Sequence, residues 1–297
     1  MTQSNNTDAV KIAVIGGSGL YNMDGVENLE ERRIETPFGN PSDAIILGSL
    51  EGVRVAFLPR HGRGHYLLPT EVPSRANIWA LKSLGVERIL SASAVGSLRE
   101  DLPPRHFVFP DQLVDETRHR ESTFFGNGVV AHVAFANPFS ILQTDYLYEQ
   151  AKALGLAATR GGTYACMEGP QFSTRAESNM HRKMGYDIIG MTAAGEAKLA
   201  REAEICYSTI AMVTDYDCWK EEDHVTTEKV VEHLMANAEN VQKLLKTVIP
   251  KLVNMPLDPE CSEALKGAIF TSPEVRNKET MEKLGPIVAK YVETAAA

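Results

Sequence analysis

Apolar runs and helical stripes alternate along this chain. Val10–Ile15 is a β-branched run that stops at Gly16-Gly17-Ser18-Gly19, which predicts a strand followed by a glycine loop. Glu31–Ile34, Asp43–Leu50 and Val53–Leu58 alternate or run apolar between glycine and proline breaks, so three further strands are expected there. From Ser74 the spacing becomes helical through Ala76, Ile78, Trp79, Leu81 and Leu84, with Ser74 as the expected cap and Gly85 as the stop. Arg88–Ala94 reads as a strand ending in small residues, Asp145–Leu154 as a helix closed by Gly155, and Ala194–Glu204 as another helix. Cys206–Thr214 is a buried strand by composition. Thr227–Val248 is a helix whose stripe is Val230, Leu234, Met235, Ala238, Val241 and Leu245.

Strands alternating with helices predict an α/β fold: a single domain with a central mixed β-sheet flanked by helices. No internal repeat interrupts it. Only Asn254–Glu260 has the Pro-rich character of a boundary, so 10–255 is expected to form the domain and 256–297 a helical extension. Residues 1–9 are polar and read as a flexible tail, neither a signal nor a transit peptide.

Composition narrows the function. The chain has 297 residues, 43% hydrophobic and 23% charged, and is long enough to bury a core without disulfides or metal. Its net charge is −9 and its pI about 5.5, which argues against a nucleic-acid partner. No apolar run approaches the roughly 18 residues of a membrane span. Cys166, Cys206, Cys218 and Cys261 form no C-x-x-C pair, which suits reduced thiols in the cytoplasm and makes a zinc or disulfide framework a poor fit.

In α/β sheets ligands gather at the carboxyl ends of strands. The first such end, Gly16–Gly19, has three readings: a dinucleotide loop, a tight structural turn, or backbone N–H groups and the Ser18 hydroxyl cradling one phosphate. The dinucleotide reading fails on detail, because G-x-G-x-x-G from Gly17 needs a glycine where Asn22 stands. The second, Pro59–His65, sets two arginines and two histidines among glycines. An arginine fork matches phosphate oxygens, although arginine in such a loop is often just solvated surface. The flanking glycines argue against His61 and His65 sharing a helical face for a metal. The third, Ser91–Ser97, is a run of small residues that lets a ligand approach backbone.

The sharpest local signal is Thr214-Asp215-Tyr216-Asp217-Cys218-Trp219. If the strand continues, Asp215 and Asp217 share one face, and two neighbouring carboxylates do not both stay ionised. One is then kept protonated, as general-acid work requires; the plainer alternative is a solvated turn. Phe172 suits either a flat ligand or the core, and Thr192 either a helix cap or an anion donor.

Taken together these segments resemble a known family. Gly16-Gly17-Ser18-Gly19, Arg60-His61-Gly62-Arg63-x-His65, Ala94-x-Gly96-Ser97-Leu98-Arg99-Glu100, Glu168-Gly169-Pro170-x-Phe172-Ser173-x-Arg175-Ala176-Glu177-Ser178, Met191-Thr192 and Thr214–Trp219 are similar, in order, to the trimeric purine nucleoside phosphorylases. Within that family they resemble the branch that cleaves 5′-methylthioadenosine. The resemblance implies a homotrimer in which phosphate attacks C1′ of the ribose as the purine leaves, with no metal or organic cofactor. It implies that Ser18, Arg60, His61, Ser93, Ala94 and Thr192 hold phosphate. Met191 and Phe172 would lie against sugar and base, and His132 would reach a neighbouring subunit's 5′ pocket. Asp215 would protonate N7, with Asp217 and Ser173 supporting base recognition. The 6-oxopurine branch carries Glu and Asn where this chain has Ser173 and Asp215. A 6-oxopurine or methylthioinosine phosphorylase is the nearest alternative, and a nucleoside hydrolase or silent binding protein a more distant one. Ser18 stands where Thr is common, and Ala193-Ala194-Gly195 replaces a stretch that contains proline in relatives. The extension 256–297 matches the family poorly, although in relatives this region completes part of the 5′ pocket.

Overall fold

The computed structural model describes residues 10–17, 20, 23–220 and 227–292. The expected tail and Ser18 lie outside them. The strands are β1 (Ile12–Gly16), β2 (Val26–Arg32), β3 (Ile45–Leu50), β4 (Val53–Pro59), β5 (Arg88–Ser97), β6 (Phe107–Phe109), β7 (Gln112–Asp115), β8 (Ala158–Arg160), β9 (Thr163–Cys166), β10 (Ile188–Gly190) and β11 (Cys206–Asp215). The helices are α1 (Ser74–Ser83), α2 (Ile141–Ala153), α3 (Arg175–Lys183), α4 (Ala193–Glu202), α5 (Thr227–Leu252), α6 (Pro259–Ser262), α7 (Lys278–Leu284) and α8 (Ala289–Val292).

The sheet is mixed and runs β2-β3-β4-β1-β5-β10-β9-β7, with β11 joined to β5 and β6, and β8 to β6. Strand β5 organises it. Its first half lies parallel between β1 and β11, while its end at Gly96–Ser97 pairs antiparallel with β10. Strands β1, β4, β5 and β11 are parallel, so their carboxyl ends open on one edge. β1 is buried throughout, as its unbroken apolar run requires, whereas the edge strand β2 is charged and exposed.

Helices cover both faces. Ile78 and Leu81 of α1 and Leu199 of α4 pack on one side with Leu284, Ile287 and Val288 from the C-terminal segment. Leu147 of α2 and Val241, Leu245 and Val248 of α5 pack on the other. Among the described residues no helix is long and apolar enough to cross a membrane.

Several expected details differ. The second strand starts at Val26, not Glu31, because its pairing with β3 runs from Val26–Leu50 to Arg32–Ile45. The cap of α1 is Pro73 without a side-chain bond, so Ser74 lies inside the helix. Helix α2 begins at Ile141, where the Ser140 hydroxyl accepts from Gln143 N. In the expected stripe of α5 the side chains of Val230 and Leu234 lie outside those described, Met235 is 70% exposed, and Val241, Leu244, Leu245 and Val248 form the buried face.

Candidate active site

Arg60 follows β4 and turns back into the protein, where its side chain and that of Glu196 are each 4% exposed. Its Nε donates to Glu196 Oε1 at 2.5 Å and its Nη2 to Glu196 Oε2 at 3.2 Å. Nη2 also donates to Ser91 Oγ at 2.6 Å and Nη1 to the Ala92 carbonyl at 3.0 Å. The guanidinium is thus braced across β4, β5 and α4, and one N–H, on Nη1, remains for an anion among the described residues. Glu196 also accepts from Ser91 Oγ and from the Tyr207 hydroxyl. Burial pushes its carboxyl up, but the Arg60 charge and these donors hold it below the ordinary range. Nothing in the sequence around Glu196 marks this role, since Ala193–Glu202 reads as a common amphipathic helix.

Next to Arg60, His61 Nδ1 lies 2.9 Å from the Leu67 carbonyl, so Nδ1 carries the proton and Nε2 is the free acceptor. Burial, reinforced by the Arg60 charge, pulls its pKa down to about 4, leaving a neutral ring at neutral pH. His65 stacks on it at 4.4 Å between centroids, an aromatic pairing rather than a metal pair. Ser93 Oγ on β5 lies 3.2 Å from Thr192 Oγ1 and 3.4 Å from the Tyr164 hydroxyl, while Ala94 beside it is exposed. Thr192 does occupy the cap position of α4, but its hydroxyl makes no cap bond and faces Ser93 instead. Tyr164 is a member of this hydroxyl cluster that sequence reasoning missed. A Cβ at Gly190 would lie 2.0 Å from the Tyr164 hydroxyl, so only glycine there lets the ring pass.

At the end of β11 the two aspartates meet, although not as strand neighbours. The ladder with β5 shifts register between Val213 and Asp215, the strand ends, and Asp217 has φ 51°. This turn lets the Asp217 N–H donate to Asp215 Oδ1 at 2.8 Å, while Thr214 Oγ1 donates to Oδ2 at 2.7 Å. Alternation therefore does not unite the pair; a turn does. Burial raises the Asp215 pKa against these two donors, and the Asp217 charge adds to the rise. Burial raises Asp217 as well. A Cβ at Gly96 would lie 3.0 Å from Asp215 Oδ1 and 3.4 Å from Asp217 Cβ, so β5 must carry glycine for both acids to lie against it.

Ser173 is buried beside this turn, its carbonyl accepting from Cys218 Sγ at 3.1 Å. Phe172 is 60% exposed and so is not a core residue. Met191 precedes Thr192, and its carbonyl accepts from Arg120. His132 stands apart. It is exposed, its backbone N–H bonds the Ala268 carbonyl at 2.9 Å, and its ring meets Phe270 edge-on at 5.2 Å. Among the described residues no three His, Cys, Asp or Glu side chains are grouped to hold a metal.

The arrangement offers one arginine N–H and clustered hydroxyls at one end, a carboxyl pair with Asp217 buried and Asp215 partly so at the other, and small residues between. Proteins of known identity resemble the chain along almost its whole length. The S-methyl-5′-thioadenosine phosphorylases of Koribacter versatilis and Gloeobacter violaceus are 54% and 55% identical over 284 and 289 residues, covering 95% of this chain and 96% of each relative. The crystal structure of methylthioadenosine phosphorylase from an antarctic soil metagenomic library matches with TM-score 0.90 at 49% identity, covering 94% of this chain and 99% of that one. Methylthioadenosine phosphorylase from Schistosoma mansoni in complex with adenine matches with TM-score 0.81 at 37% identity, covering 88% and 99%. Residues 11–250 match the phosphorylase superfamily as a whole, and the chain belongs to that superfamily.

Proposed function

We propose that this protein cleaves 5′-methylthioadenosine with inorganic phosphate, giving adenine and 5-methylthioribose 1-phosphate. The observation that carries the reading is the Asp215–Asp217 pair at a strand end, Asp217 buried and Asp215 partly so, with Asp215 pushed toward its protonated form. Adenine presents an amino donor at C6 and an acceptor at N7, so one carboxyl group accepts from the first and donates to the second. A 6-oxopurine presents two acceptors there and leaves a carboxylate unmatched.

Phosphate is held by Arg60, His61, Ser93, Ala94 and Thr192, with Ser18, two residues beyond β1 in the sequence. Its oxygen lone pair forms the new bond to C1′ while the C1′–N9 bond breaks and its electrons pass into the purine. Asp215 gives its proton to N7, so the base leaves neutral. Met191 and Phe172 lie against sugar and base, and Ser173 and Asp217 support base recognition. Phosphate is a co-substrate, and the reaction calls on no organic cofactor or metal.

The assembly we propose is a homotrimer in which His132 enters a neighbouring subunit's 5′ pocket. In support, His132 is exposed and lies in an apolar patch with Val130 and Phe270, the latter 69% exposed. Phe270 belongs to the segment 256–297, which would thereby help to complete the 5′ pocket of the 10–255 domain. Four free cysteines suit a cytoplasmic setting.

The test is a substrate panel with and without phosphate. Adenine release from methylthioadenosine that stops when phosphate is omitted is the expected result. Release that continues identifies a hydrolase, and release favouring methylthioinosine identifies an oxopurine enzyme.

A further inference from the structure

Behind the base-reading end of the site, Ser178 Oγ, His181 Nδ1 and Asp217 Oδ2 are all buried with no hydrogen-bond partner among the described residues. Buried polar atoms are nearly always partnered, so three orphans in one neighbourhood mark a place built for something. Ser178 and His181 stand three residues apart on α3 and so share a helix face. Both stand beside the Asp217 carboxyl: burial raises its pKa, the Ser178 and Ser173 side chains oppose that, and His181 lies within electrostatic reach, although Ser178 closes no bond of ordinary length to it.

His181 is itself held. Its Nε2 lies 2.8 Å from Glu116 Oε2, its side chain is 4% exposed, and its ring stacks on Tyr186. The Glu116 carboxylate fixes the proton on Nε2, as a carboxylate does for an imidazole it accepts from. Nδ1 is then the face turned away from Glu116. Glu116 is anchored in turn by its backbone N–H, which donates to the Cys166 carbonyl at 3.0 Å.

We propose that Glu116, His181, Ser178 and one bridging water form a support behind Asp217, with His181 a positioning residue for purine recognition. A single water with three polar partners satisfies every orphan in the cluster. Asp217 Oδ2 is thereby tethered inward and Oδ1 is left for the amino group of the base. Because the Asp217 N–H also donates to Asp215 Oδ1, the support reaches the acid that protonates N7. This inference rests on the phosphorylase reading above.

The test compares His181→Phe, His181→Gln and His181→Asn by the ratio of kcat/KM for methylthioadenosine to that for methylthioinosine. Gln places its amide where Nε2 lies and keeps Glu116, whereas Asn places it where Nδ1 lies and keeps the Asp217 side. The Phe and Gln variants are expected to lower the ratio roughly tenfold, the scale of one hydrogen bond to a charged group. The loss should appear in the nucleoside KM with the phosphate KM unchanged, and Asn should restore most of the ratio. Gln and Asn variants that behave alike, or a ratio unchanged in all three, overturn the proposal. Ser178→Ala removes one orphan hydroxyl without disturbing Glu116, so it decides the matter should the ring variants unfold: a lowered ratio supports the relay and an unchanged one overturns it. The functional reading is tested on the wild-type enzyme alone, so its failure is separate from a wild type that turns over and variants that do not differ from it.

Discussion

Glu196 meets Arg60 in a two-point contact, Nε to Oε1 at 2.5 Å and Nη2 to Oε2 at 3.2 Å, both side chains almost wholly withdrawn from solvent. The arginine that the sequence offers as a phosphate fork therefore gives its fork to a carboxylate. What it presents to phosphate is a single oriented N–H and a charge largely balanced by Glu196.

Removing one partner of such a pair leaves the other buried and uncompensated, at a typical loss of about 3–5 kcal/mol. Arg60→Ala should thus lower the melting temperature and raise the phosphate KM well beyond any change in the nucleoside KM. Adding Glu196→Gln to Arg60→Ala should restore much of the stability and none of the phosphate affinity. Thermal unfolding and steady-state kinetics on the single and double variants check both halves.

Stability toward acid should depend on His61. Its folded pKa is about 4 against an ordinary 6.5, so below pH 6.5 the unfolded chain takes up a proton that the folded protein refuses. The contribution of the neutral ring is complete above the higher value and disappears as pH falls toward the lower one. His61→Asn, whose amide can still donate to the Leu67 carbonyl, should show a flatter fall in melting temperature across that window than wild type. Parallel curves would mean that the ring is not held neutral.

Gly96→Ala should damage activity more than stability. The new Cβ meets Asp215 Oδ1 at 3.0 Å and Ile189 Cγ2 at 3.2 Å, so the acid at the end of β11 must give way. A displacement of this size at a general acid is expected to lower kcat by at least tenfold, the scale on which misplaced catalytic groups fail. A variant with wild-type kcat would show that Asp215 has room to move without consequence.

The enzyme should be an obligate oligomer. Val130 and Phe270 are too exposed for a lone subunit's surface to gain from them, and the His132 ring stands against Phe270. Sedimentation at assay concentrations should give a single species larger than one chain. Phe270→Glu should dissociate it and lower activity together; a fully active monomer would contradict the arrangement.

The main strands were legible because β1 is an unbroken apolar run stopped by glycine, and β5 and β11 are long and mostly apolar or small. Strands β6, β8 and β10 span three residues each, too short for any periodicity to show; β6 and β10 pair with the long strands β11 and β5, and β8 pairs with β6 in turn. The candidate site was legible where its chemistry stands at element ends: Arg60 follows β4, Thr192 occupies the cap position of α4 and Asp215 closes β11. Glu196 and His181 were not, because each lies within a helix of ordinary pattern. Their meaning comes from partners distant in sequence, Arg60 for the first and Glu116 for the second. Even the aspartate pair was found by the wrong geometry, since a turn with positive φ at Asp217, and not strand alternation, brings the Asp217 N–H onto the Asp215 carboxyl.

The account depends most on Asp215 as the acid that reads an aminopurine. Burial raises its pKa, which favours retention of the transferable proton, and activity should fall as pH rises through it. Asp215→Asn preserves the shape, removes that proton and offers an amide donor in its place. Measured side by side, kcat/KM on methylthioadenosine should fall roughly 10²-fold or more, the scale of a missing general acid, while the value on inosine-type substrates falls much less or rises. An equal fall on both would mean that Asp215 does not read the base, and no fall on either would remove it from the chemistry.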